Sequence, residues 1–151
     1  MRNETEAGLS PAESQDLRRV AEVMVPASEE FGVPGAGDAA IFADILKSLG
    51  RDLDGVRIAL AALSALAGGP FADLEPARGE IVAETFRAGG SPEVAVLERA
   101  ILQCYYRDDR VVRSLGLEPR PPFPTGRTLE QGDWSLLDVV RARPKMWRDA
   151  P

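Results

Sequence analysis

The residues best equipped for chemistry sit together in one short stretch, Cys104-Tyr105-Tyr106-Arg107-Asp108-Asp109-Arg110. Two carboxylates beside two phenols suggest general acid–base work, which needs both groups aimed at one substrate. Adjacent helical residues project about 100° apart and do not face each other. The spacing therefore favours a structural use: helix-end polarity, pairing with Arg107 and Arg110, or contact with another chain. Cys104 follows Val94, Leu97 and Ile101 at helical spacing, where a thiol acts as a small hydrophobe rather than a reactive group or an intersubunit disulfide. Gly32 to Gly37, Gly-Val-Pro-Gly-Ala-Gly, resembles a phosphate-binding loop only in its glycines. It follows no strand and lacks the lysine and Ser/Thr that a nucleotide loop uses, so it reads as a connector.

The absences are sharper than the presences. The chain of 151 residues has no histidine and one cysteine. Histidine is the commonest general base and metal ligand near neutral pH. Without imidazole or a second thiol, the usual zinc sites, thiolate-held clusters and Ser–His or Cys–His nucleophiles are excluded. An internal disulfide is excluded too. Only a carboxylate, lysine or tyrosine mechanism remains open to it. The net charge of −6 argues against nucleic acid or an anionic membrane as a general partner. The longest apolar stretch, Ile58 to Ala67, is short of the roughly 18 residues of a membrane span and is interrupted by Ser64. Arg18-Arg19 precedes no hydrophobic core of an export signal and reads as helix surface.

The elements that position these residues are helical. Residues 1–9 read as a flexible end. Ser10, Pro11 and Glu13 form a capping box with proline at the first helical position, followed by Leu17, Val20 and Met24 up to the stop at Pro26. Asp38 caps a second helix with Phe42, Ile45, Leu46 and Leu49 on one face. A third runs from Asp52 through Leu53, Val56, Leu60, Leu63 and Ala67 to Gly68-Gly69-Pro70. After a connector from Phe71 to Pro76, a fourth has Ile81, Val82, Thr85 and Phe86 as its apolar side. A fifth starts at Ser91-Pro92 and is expected to continue past Tyr106 to about Leu115. No stretch alternates with period two. The chain is therefore expected to be all-α: a compact bundle of about five helices over residues 10–116, followed by an extended proline-rich arm.

That arm, residues 117–151, holds six of the twelve prolines and both tryptophans. Arg120-Pro121-Pro122-Phe123-Pro124 is largely barred from helix, and Asp133 can cap a short helix through Trp134, Leu137 and Val140. Residues 107–151 carry 9 basic and 7 acidic side chains, a net of +2. Residues 1–106 carry 9 and 17, a net of −8. Disordered tails usually lack aromatics, yet this one has Phe123, Trp134, Met146 and Trp147, each worth roughly 1.5–3 kcal/mol when buried. The arm is expected to lie on a surface, its own bundle or another chain.

The order of these motifs resembles the gluconate 2-dehydrogenase subunit 3 family. The resemblance rests on Leu9-Ser10-Pro11-Ala12-Glu13 opening a helix that ends in Val25-Pro26-Ala27, the glycine-rich loop before Asp38, Phe71-Ala72-Asp73-Leu74 before the next helix, and Tyr105-Tyr106-Arg107-Asp108 ending the fifth. It covers roughly residues 9 to 115, with the tail similar in style. It implies a small helical subunit that supports folding, stability and often export of a large FAD-dependent dehydrogenase of the glucose–methanol–choline type. That enzyme would oxidise gluconate, glucose, a glycoside at its 3-position or a related alcohol. FAD and the catalytic histidine would then belong to the large subunit, which would also hand electrons to a cytochrome c or another acceptor. No catalytic, cofactor or metal residue is expected on this chain.

Contact with the large subunit is expected at Tyr105, Tyr106, Arg107, Asp108, Phe123, Trp134 and Trp147. Many family members begin with a twin-arginine signal and this sequence shows none. A cytoplasmic complex is the expectation, or a periplasmic one if the partner carries the export signal. Two alternatives are a free-standing helical enzyme using carboxylates and tyrosine, and a regulatory or self-associating helical protein with no flavoenzyme partner.

Overall fold

The computed structural model describes residues 8–121, 123–128, 130–146 and 148. The chain divides into two units, Met1–Pro119 and Arg120–Pro151. The first seven residues of the expected flexible end, and Trp147, lie outside the described residues. Among those described there are seven α-helices and no strand, so the chain is all-α.

Five of the helices have ten residues or more and build the first unit: α1 (Pro11–Met24), α2 (Ala39–Ser48), α3 (Leu53–Ala67), α4 (Pro76–Ala88) and α5 (Pro92–Tyr105). The starts of α1 and α2 follow the capping chemistry of the sequence, whereas the expected caps Asp52 before α3 and Ser91 before α5 make no side-chain capping bond. The Ser10 hydroxyl accepts from the Glu13 amide at 3.2 Å, and the Glu13 carboxylate accepts from the Ser10 amide at 2.7 Å. Two first-turn donors with no helical acceptor are thereby involved in one reciprocal device. The Asp38 carboxylate accepts from the amides of Ala40 and Ile41, which starts α2. At the end of α3, Gly68 sits at φ +80, a left-handed turn that glycine alone enters without steric cost.

The core lies where α3 and α5 pack together, with α2 also against α5, α4 against α3, and α1 against α3 and α4. Leu17, Ile41, Ile45, Val56, Leu63 and Ile101 are among its fully buried side chains. Phe71 belongs to this core as well. The segment Phe71–Asp73 is a 3-10 turn packed against α1, and its phenyl ring is completely enclosed. Asp16 on α1 is the single buried charged residue among those described. It accepts from the Ala72 amide at 2.7 Å and from the Ser64 hydroxyl at 3.2 Å, tying α1 to the turn and to α3. The serine that interrupts the longest apolar stretch is therefore a partner of that carboxylate.

The glycine-rich connector is folded tightly. Ser28 and Val33 exchange backbone bonds at 3.0 Å, and the Ala36 amide bonds the Val25 carbonyl at 2.9 Å. A Cβ at Gly35 would stand 2.8 Å from the Ala27 nitrogen and 2.9 Å from the Val25 oxygen, so this close approach requires glycine.

Two expectations need correction. The fifth helix does not continue to Leu115. It stops at Tyr105, the backbone turns extended at Asp108 (φ −66, ψ 130), and a separate six-residue α6 (Asp109–Ser114) begins there. Asp108 breaks the helix because its carboxylate accepts from the Arg110 amide at 2.9 Å and caps the new one. The fourth helix is also rotated from its expected face. It buries Gly79 and Val82, with Ala83 and Phe86 partly buried, while Ile81 and Thr85 point outward. The i, i+3, i+4, i+7 series starting at Gly79 had no apolar side chain at its first position to mark it.

The second unit contains a 3-10 turn, Trp134–Leu137, running into one α-helical turn, α7 (Asp138–Arg141). Asp133 caps it as the sequence predicts, accepting from the Ser135 amide at 3.0 Å and its hydroxyl at 2.6 Å. Nearer its start, the Arg120 guanidinium bonds the Gly126 carbonyl and the Arg127 guanidinium bonds the Arg120 carbonyl. Every described residue from 121 to 148 is exposed.

Candidate partner-binding surfaces

The corner between α5 and α6 holds four of the expected contact residues. Tyr105 and Tyr106 stand edge to face, ring centres 5.2 Å apart and planes at 81°. Tyr105 is 5% exposed and Tyr106 56%, so the first ring fills the core and the second reaches solvent. Burial pushes the Tyr105 hydroxyl and the Cys104 thiol above their ordinary values. Cys104 is a buried free thiol, as its spacing predicts.

The charged residues of this corner brace the bundle. The Arg107 guanidinium bonds Asp44 at 2.6 Å and the Ser48 hydroxyl at 2.8 Å, both on α2. Arg110 reaches further. It bonds Asp108 at 3.0 Å and Asp38 at 2.7 Å, so one guanidinium joins the caps of α6 and α2. Its hydrogen bonds hold the carboxyls of both Asp38 and Asp108 below the usual carboxylate range. Asp109 turns away and pairs with Arg113 at 3.0 Å. Asp108 and Asp109 are thus not a facing pair. Each bonds its own arginine, an arrangement that braces the helix ends. No group of three His, Cys, Asp or Glu side chains able to hold a metal occurs among the described residues.

The arm presents a different chemistry. Phe123 is 84% exposed and Trp134 61%, with Leu136, Val139 and Met146 also exposed. The Trp134 indole N–H donates to the Gln131 side-chain oxygen at 3.3 Å. Leu137, Val140, Pro144 and Met146 border a hollow flanked by Arg141 and Arg143. The expected contact residues therefore fall in two places: Tyr106, Arg107 and Asp108, with the buried Tyr105, on the corner of the first unit, and Phe123 and Trp134 in the second.

A third surface escaped the sequence. A groove of about 420 Å³ runs beside α1, α3, α4 and α5. Val20, Met24, Phe86 and Leu97 line it, and Glu80, Glu84 and Glu98 stand at its rim with Arg87. Arg87 is taken up by Glu84 at 2.7 Å. Its carboxylates look like ordinary surface charges of two helices in the sequence, and only the packing of α4 and α5 on α3 gathers them around one apolar floor.

Compared with family models, curated proteins and solved structures, the chain matches none of them.

Proposed function

We propose that the chain is a non-catalytic small subunit that binds and stabilises a large FAD-dependent dehydrogenase of the glucose–methanol–choline type, acting on a sugar, sugar acid or related alcohol. The observation that carries this reading is the arm. Phe123, Trp134, Leu136, Val139 and Met146 are all exposed, and large apolar groups gathered on one segment mark an interaction site. The absence of histidine and the arginine-locked carboxylates of the α5–α6 corner support a partner that supplies the chemistry. FAD, the catalytic histidine and the link to an electron acceptor then belong to that partner.

In this account the bundle is a rigid base, with Tyr106 offering an aromatic contact, and the arm is the grip. A permanent interface of this kind buries more than roughly 2,000 Å². Co-expression with a candidate flavoprotein tests it: the full chain should raise the yield of soluble, flavin-loaded enzyme, and a chain ending at Gly116 should not co-purify. Full-yield co-purification of the shortened chain would refute the role of the arm.

A further inference from the structure

The groove and the arm carry opposite charge on matching apolar ground. The groove has an apolar floor and three rim carboxylates, with one arginine among them. Residues 139–148 of the arm hold Arg141, Arg143, Lys145 and Arg148 and no acidic residue, interleaved with Val139, Val140 and Met146. These apolar side chains are exposed. We propose that the groove receives this basic apolar segment from a second copy of the chain, and that two copies exchange arms reciprocally when no other partner is present.

The physical case has three parts. Arg143, with Arg141 paired to Asp138 at 3.2 Å, flanks the same hollow as Val140 and Met146, so apolar and cationic groups are offered together. In the groove, Phe86 and Met24 lie beside Glu80, Glu84 and Glu98, so the complementary groups are also offered together. Reciprocal exchange uses the same contact twice, bringing the buried area toward the roughly 1,200–2,000 Å² of a standard stable interface. Such a dimer would shelter the arm's apolar groups until a larger partner competes for them. The inference stands on this chain alone and survives even if the flavoenzyme reading fails.

Sedimentation velocity on the isolated full-length chain, from low-micromolar to submillimolar concentration, tests it. The expected result is a monomer–dimer equilibrium that weakens with added salt. Reversing two rim charges, Glu80→Lys with Glu98→Lys, should weaken dimerisation about tenfold or more. Reversing the arm, Arg141→Glu with Arg143→Glu, should do the same. Combining all four should restore the dimer to within about threefold of the natural chain. Circular dichroism confirms that each variant is folded. A chain monomeric at every concentration would show that no second copy fills the groove and overturn the proposal. So would a dimer indifferent to both reversals, or one that the combined variant fails to restore.

Discussion

Replacing Trp134 by alanine separates the two roles a tryptophan can have, anchoring its own fold or anchoring a partner. The indole is 61% exposed. Large aromatic side chains bury about 150–250 Å², so about 90–150 Å² remains for a partner to cover. At about 25 cal/mol per Å² this is worth about 2–4 kcal/mol, or roughly 50- to 500-fold in Kd. Within the chain, the indole N–H makes one exposed bond, to Gln131 at 3.3 Å. Losing that bond should cost less than about 0.5 kcal/mol and move the melting temperature by about 2 °C or less. Titration calorimetry with the proposed large subunit and a thermal melt of the isolated chain read the two numbers separately. A melt lowered by about 4 °C or more would show that the indole supports its own unit. Unchanged affinity would show that it anchors nothing. Either result refutes the reasoning.

Further outcomes follow from the bundle. Asp16→Ala should cost about 2–3 kcal/mol in urea unfolding, because it strips a buried charged acceptor from the Ala72 amide and the Ser64 hydroxyl. A loss below about 0.5 kcal/mol would mean that this tie between α1, α3 and the 3-10 turn is dispensable. Acid should weaken the α5–α6 corner in a defined direction. Asp38 and Asp108 are held below the usual carboxylate range by Arg110. Their contribution is therefore present above the unfolded value near about 4 and is lost as pH falls through the lower folded values. The Arg110 side chain is 44% exposed, so solvent screening limits each pair to about 1 kcal/mol or less. Unfolding curves at several pH values should show a shallower loss below about pH 4 for Arg110→Met than for the natural chain. Equal acid slopes would contradict the assignment.

The starts of α1 and α2 were legible because capping is local. Ser10 with Glu13, and Asp38, perform within three residues the bonds their types predict. Cys104 was legible for a similar reason, since its neighbours Leu97 and Ile101 mark the buried stripe of α5. Asp108 caps just as locally, but Val111 and Leu115 beyond it continue the helical spacing of α5 and masked the break. Arg110 connects Asp108 to Asp38, 70 residues earlier in the chain, and no local pattern shows that a second helix cap shares the same arginine. Phe71 was hidden by its setting, because one aromatic in a three-residue turn has no periodicity to report burial. The acidic groove was hidden more deeply, since Glu80 and Glu98 stand on different helices and meet only through packing. In the arm, the turn after Asp133 was legible because its cap is local.

The central claim is that this chain works by holding a flavin enzyme. The most direct measurement is native mass spectrometry, with an absorption spectrum, of whatever co-purifies with the tagged full-length chain from its own cells. The account predicts a stable complex with one large polypeptide and flavin bands near those of protein-bound FAD. Recovery of the chain only by itself or with copies of itself, and with no flavin in the sample, would contradict it.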